Sequence, residues 1–369
     1  MPNSTASTHS RCGEHQKNTS PNPDSHIHTK AGTRFNPRLL PAAVFVALGV
    51  MALAPERAYS DTVSTLEDQA RKPTKEPAPA KSYSFTEAMG KSIWGDVYGH
   101  PEDWQELGYG DFFSKGWDQP WVSPPTGAGG APRQGWLLAF EGVFYRLGIG
   151  VFGWQHGLTG QGDGYTASMV NFTPINQRFE IQTDIPMVSN GANNGGDRQT
   201  NFGDFKIQPR FMLSESEELT QTLNISFRTP TGNPVNGNGI ASVQPQYQFW
   251  ANWWKGLVVR GGTGFTIPYA GDIQRAGART TYDADVAIGY YFTPHDYAPF
   301  LGDLVGYVAT NLTQVIDNRG PSSTTTLSIG PGFRTHIIDN WFLLGAVEVP
   351  VTYPQPYEYQ VLGGIMKVY

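Results

Sequence analysis

Residues 219–229, LTQTLNISFRT, decide how the rest of the chain is read. Leu219, Leu223, Ile225 and Phe227 fall on one parity, and Thr220, Thr222, Asn224, Ser226 and Arg228 on the other. Side chains of an extended chain point alternately to opposite faces, so this pattern specifies a strand with one apolar and one polar face. The same alternation recurs at 177–185, where Phe179, Ile181 and Ile185 oppose Arg178, Glu180, Gln182 and Asp184. It returns at 202–213, where Asp204, Lys206, Gln208 and Arg210 form the polar face, at 240–250 with Gln244, Gln246 and Gln248, and at 281–292 with Asp283 and Asp285.

Between such segments, tight connections near 174–176, 214–218, 251–255, 293–297 and 338–340 alternate with longer polar ones near 156–164, 186–201, 229–238, 268–279 and 312–322. Short turns at one end and long loops at the other are the habit of outer-membrane barrels. Counting strands between these connections, from 137–155 to 357–369, gives about twelve, an even number that returns both ends of the barrel to the short-turn side. The chain is therefore predicted to be all-β, an antiparallel transmembrane β-barrel occupying residues 134–369. Two segments fit poorly: 165–173 alternates weakly and 341–352 (WFLLGAVEVPVT) is apolar on both parities.

Upstream, residues 1–60 read as a signal peptide. Lys30, Arg34 and Arg38 precede an apolar run from Leu39 to Ala54, followed by small-residue cleavage options up to Ser60. Residues 61–81 are a charged, Pro/Ala-rich linker, and 82–133 an irregular Gly- and aromatic-rich periplasmic extension whose aromatics are expected to pack on the body. The one cysteine, Cys12, lies in the signal region, so no disulfide or thiol chemistry is available to the folded body.

Composition agrees with the strands. Charged residues make up 16%, below the roughly 25% of soluble domains, while Gly reaches 43 residues and aromatics 13%. The net charge of −6 excludes the basic stripe of a nucleic-acid binder. On the polar parities, Arg178, Glu180, Asp184, Lys206, Arg210, Arg228, Arg260, Asp283, Asp285, Arg334 and His336 are expected to line the lumen, with Asp204, Glu348 and Glu358. Near-balanced signs favour ion pairs across strands over a single-sign selectivity ring. Trp250, Trp253, Trp254 and Trp341 lie near short turns and are expected to form an interface girdle. Tyr369, closing an amphipathic last strand, resembles the C-terminal signal read by the barrel-assembly machinery.

The segments GDFKIQPRF (203–211), SFRTPTGN (226–233), GNGIASVQPQYQFW (237–250) and VVRGGTGFTIP (258–268) resemble the family of MetA-pathway phenol-degradation proteins. The resemblance covers about a third of the chain beyond the signal and implies an outer-membrane barrel of transporter-like type, with no set of functional residues to carry over.

The expected function is a pore or transporter-like protein for small solutes, polar or aromatic, in the bacterial outer membrane, with lipids and the assembly machinery as partners and no cofactor, metal or catalytic residue. The alternative is a non-conducting barrel plugged by its N-terminal extension. A remote third reading is an outer-membrane hydrolase, with His336 and Asp283 or Asp285 sharing a lumen-facing parity as an acid/base pair.

Overall fold

The computed structural model of the chain describes residues 83–159, 162–192, 196–232, 236–237, 239–274, 276–317 and 324–369. The signal peptide and the linker expected at 1–81 lie outside the described residues.

Thirteen strands form one antiparallel sheet: β1 (Leu147–Leu158), β2 (Gly162–Pro174), β3 (Phe179–Ala192), β4 (Gly196–Phe202), β5 (Lys206–Glu215), β6 (Leu219–Arg228), β7 (Ile240–Trp254), β8 (Leu257–Gly271), β9 (Thr281–Tyr291), β10 (Gly302–Val315), β11 (Thr325–Ile338), β12 (Trp341–Pro350) and β13 (Tyr359–Val368). β4 and β5 lie end to end along the same edge of β3, so they make one stave, and the wall has twelve. The sheet closes on itself through β1 and β13, from Leu147 opposite Val368 to His156 opposite Tyr359. Closure pairs the wall strands on both sides, while β4, which bonds to β3 alone, keeps one edge without a strand partner.

Two of the short turns have two residues, 255–256 and 339–340. Gly256 (φ +66°) and Asp339 (φ +49°) supply the left-handed backbone that such tight hairpins require. Several connections depart from expectation, among them 156–164, read as one of the longer loops, where β1 runs to Leu158 and β2 starts at Gly162. Residues 186–201, read as a loop, extend the wall as the β3–β4 hairpin, and the connection after β9 runs over 292–301 instead of 293–297. Beyond Val188 the β3–β4 hairpin is polar on both faces, so residues 189–201 carry no periodic apolar signal.

The wall is inverted relative to a soluble protein. Met169, Ile185, Ile207, Phe265, Ile288, Val308, Ile329, Phe333 and Val349 are exposed on the outside, while Glu180, Arg210, Thr222, Asn224, Arg260 and Arg334 are fully buried within. Among the described residues no helix is long and apolar enough to cross a membrane.

Ahead of β1, helix α1 (Phe85–Trp94) starts with a capping box in which the Ser84 side chain accepts from the Glu87 amide and the Glu87 carboxylate accepts from the Ser84 amide. That bond holds the Glu87 carboxyl below its ordinary value. Beyond a short 3-10 turn (Pro101–Asp103), the extension covers the short-turn end of the barrel. Leu107 forms a two-way backbone bridge to Glu215, and Val97, Leu107, Trp121 and Phe144 pack around Met212 of β5. The aromatics of the extension were expected to pack on the body. Trp121 does, whereas Trp94, Tyr109 and Phe113 stand exposed.

Candidate functional site: a segment inside the barrel

The first strand was expected over 137–155. It begins at Leu147, and residues 134–146 (QGWLLAFEGVFYR) instead cross the barrel interior. Their pattern fails strict period two, with glycine at 135 and 142 and a run of apolar residues on both parities, which is the mark of a segment surrounded on all sides.

This segment touches inward-facing groups around most of the wall. Trp136 stacks on Tyr307 of β10, with centroids 4.5 Å apart and rings 6° from parallel, and the Leu137 amide donates to the Tyr307 hydroxyl at 3.0 Å. Phe140 donates its amide to Asp285 of β9 at 2.5 Å. Glu141 pairs with Arg260 of β8 at 3.1 Å, and Arg260 also donates to the Tyr145 hydroxyl at 3.0 Å. Gly142 lies against the Phe249 backbone of β7, where a Cβ would clash. Arg210 of β5 donates to the carbonyls of Glu141 and Val143 and pairs with Glu180 of β3, which in turn accepts from the Tyr145 amide at 2.5 Å.

The wall around the segment has two sectors. β3, β5, β6 and β7 present polar side chains inward. β10, β12 and β13 present Val305, Tyr307, Ala309, Phe342, Leu344, Ala346 and Met366, which form one buried cluster with Ala131, Trp136, Leu137, Val143 and Tyr145. The apolar sector accounts for the segment 341–352 that was apolar on both parities: one face meets the inserted chain and Leu343, Val347 and Val349 face outward.

The residues expected in the lumen separate into three groups. Glu180, Arg210, Arg260 and Asp285 hold the inserted segment. Asp184 with Lys206 (3.2 Å), and Asp283 with Thr266 and Thr313, lie toward the long-loop end, where Arg228 also clamps Asp204 at 2.6 Å. Arg178, Arg334 and His336 lie toward the short-turn end. Arg178 donates to the carbonyls of Gly108, Lys115, Met212 and Leu213, tying down the extension. Arg334 is fully buried and reaches the Asp303 carbonyl at 3.3 Å. His336 stacks on His295 with centroids 4.1 Å apart and bonds the Asp339 carbonyl at 2.6 Å.

Two expectations are corrected here. His336 lies opposite Gly302 at the start of β10, whereas Asp285 lies opposite Asn311, nine residues along the same strand, so the conceived acid/base pair does not meet. Shared parity placed them on one face without fixing their height. Trp250 was assigned to the outer girdle, yet it is only 1% exposed and lies under the Arg133 guanidinium, 4.9 Å from its centroid. It shares the inward parity of Gln246 and Gln248, and the extension covers it. Trp253, Trp254 and Trp341 do reach the outer surface. Tyr369 is half exposed, and its carbonyl accepts from Arg146 Nε at 2.8 Å.

Sequence reasoning missed Trp136, Glu141, Tyr145 and Tyr307. It also gave no role to the glutamines of 244–248, although QPQYQ puts three of them on the polar parity. A cavity of about 200 Å³ lies on the long-loop side of the segment, bounded below by Ala139, Phe140 and Glu141. Another of about 250 Å³ lies on the short-turn side, bounded by Gln134, Phe144 and Tyr145 together with Tyr98, Trp121 and Phe342. The inserted chain separates the two.

Among solved structures, an outer membrane channel from Pseudomonas putida F1 is similar at 11% identity and a TM-score of 0.49, over 62% of this chain and 97% of that one. The KdgM porin is similar at 10% identity and a TM-score of 0.42, over 60% and 99%. For the CymD monoaromatic hydrocarbon channel the values are 9%, 0.35, 62% and 89%. No curated protein matches the sequence. One family model matches residues 148–352, more than half of the chain and nearly the whole wall, and on that match the chain belongs to the family described as Putative MetA-pathway of phenol degradation.

Proposed function

We propose that the protein is an outer-membrane channel for small solutes, held closed by its own residues 134–146. The observation that carries this reading is the pair of cavities that the inserted segment keeps apart, one among the wall strands and one beneath the extension. A barrel serving only as a rigid anchor has no need of interior space on both sides of a segment that blocks it. The outward apolar wall supports a lipid setting, because strands cross a bilayer only as a closed barrel. With the short turns and both barrel ends on the periplasmic side, the extension lies in the periplasm and the long loops face outward.

The block is built from hydrogen bonds and ion pairs as much as from packing, so it is suited to release. Planar-bilayer recordings test this. The intact chain is expected to conduct weakly or not at all, and a chain lacking residues 83–145 to give steady conductance at least tenfold larger. Equal conductance from both chains would show that the segment does not gate, and silence from both would favour a structural or surface-binding barrel that does not conduct even without its N-terminal extension.

A further inference from the structure

We propose that the cavity on the long-loop side is a binding site for a neutral solute bearing several hydroxyl groups, about the size of one sugar ring. This rests on the channel reading and names its solute class.

The walls of the cavity are amides. Gln182 comes from β3, Gln208 from β5, and Gln244, Gln246 and Gln248 from β7, with Ser226 of β6 between them. Strand pairing brings them together: Gln182 lies opposite Gln208, and Gln244 opposite Ser226. A glutamine side chain offers two donors and an acceptor with two lone pairs, and carries no charge. The mutual bonds use only part of this capacity, Gln208 Nε2 donating to Gln182 Oε1 at 3.2 Å and Gln248 Nε2 to Gln246 Oε1 at 2.8 Å. Gln248 is 3% exposed, and its Oε1 has no hydrogen-bond partner among the described residues. A buried acceptor left unpaired is costly, so a hydroxyl arriving there gains more than it would in water.

The charged side chains lining the cavity are paired, and the neighbouring Asp283 is engaged by Gln244 Nε2 at 3.3 Å and by the hydroxyls of Thr266, Thr281 and Thr313. Lys206 is bound to Asp184 at 3.2 Å, and Glu141 to Arg260 at 3.1 Å. An ionic solute would lose hydration and find the nearby counter-charges already engaged, whereas a neutral polyol finds donors and acceptors already placed. On β8, Gly262 and Gly264 leave the wall bare, and a Cβ at Gly262 would lie 2.6 Å from the Phe140 ring. That ring forms part of the floor and gives an apolar surface for the C–H face of a sugar. Exposure rises along the wall from fully buried Glu180 through half-buried Gln182 to exposed Lys206, so the site opens toward the long-loop end. Its volume of about 200 Å³ lies below the roughly 300–1,000 Å³ of drug-sized pockets, which restricts the solute to a small one.

Saturation-transfer NMR on the full chain in detergent tests the site, with glucose, gluconate, glucosamine and phenol as probes. Glucose is expected to receive saturation from the wild-type protein and to lose at least fivefold of it in the Gln182→Leu/Gln246→Leu variant, while gluconate and glucosamine receive little. Should that variant fail to keep the β circular dichroism of the wild type, Gln246→Glu, which adds a charge at nearly constant volume, is expected to give the same loss. The site is overturned if glucose receives no saturation, if it is unaffected by substitution in a folded variant, or if phenol or a charged sugar receives more. Binding here needs no conduction, so a chain that binds glucose but stays silent after truncation defeats the channel reading alone, and one that conducts without binding defeats the site alone.

Discussion

Glu141 is the residue on which the closed state turns. It is the one carboxylate brought into the barrel by the inserted segment, and it receives the Trp136 amide at 2.8 Å, the Tyr145 hydroxyl at 2.9 Å and the Arg260 guanidinium. Arg260 is fully buried on β8, so its charge stays in the wall whether or not the segment is present. Removing one partner of a buried pair leaves the other uncompensated and costs about 3–5 kcal/mol. In Glu141→Ala that cost falls on the docked state alone, because an undocked segment lets water reach Arg260. The variant is expected to keep the β circular dichroism of the wild type and to show frequent openings in planar bilayers where the wild type shows few. Openings as rare as in the wild type would mean that the apolar contacts of Trp136 and Tyr145 hold the segment without the ion pair. Glu141 was not singled out from the sequence because a single Glu in an apolar run announces neither its burial nor its partner 119 residues away.

At the scale of the strand, period two was the most legible signal, and it was legible where one face meets an apolar medium and the other does not. β6 follows its pattern residue by residue: Thr220, Thr222 and Asn224 are fully buried, while Leu223 and Phe227 are exposed. Where both faces meet similar surroundings the signal fades. β12 is apolar inward as well as outward because Phe342 and Leu344 join the interior cluster, and the β3–β4 hairpin beyond Val188 is polar on both faces. Residues 134–146 were read as part of a strand for a related reason, since alternation is lost and apolar content alone does not tell a wall from what the wall encloses. The outward parity also yields a quantitative expectation. Val308 lies in the middle of β10, flanked by Ile288 of β9 and Pro331 of β11, and is 47% exposed. For a residue facing lipid near the bilayer midplane, arginine costs about 2–4 kcal/mol. Val308→Arg is expected to lower folding stability in lipid vesicles by that amount, while Asn311→Arg, on the inward parity, leaves the lipid face untouched. A Val308→Arg chain as stable in vesicles as the wild type would remove the outer face from the membrane.

For the whole molecule, the segment that closes the lumen also completes its interior. The hydrogen-bonded ladder is continuous from β1 round to β13 without the extension, so the barrel has every backbone pairing it needs when residues 83–145 are absent. The apolar sector of the lumen does not share that independence. Phe342, Leu344, Ala346, Val305 and Met366 are buried in a cluster with side chains of the inserted chain, and without it they face water. Leu137 and Val143 also lose their burial, and each such side chain contributes roughly 1.5–3 kcal/mol when taken fully out of water, before the entropy of ordering the segment is subtracted. Opening and stability are therefore opposed: an open lumen is a less stable one, and the closed state is the resting state unless something else covers the apolar sector. The chain lacking residues 83–145 is expected to retain its β spectrum, to unfold in denaturant earlier than the intact chain by the equivalent of a few kcal/mol, and to bind an apolar fluorescent dye that the intact chain excludes. Equal denaturant midpoints together with equal dye binding would mean that the inserted segment contributes no net burial and that closure is held by its polar contacts alone.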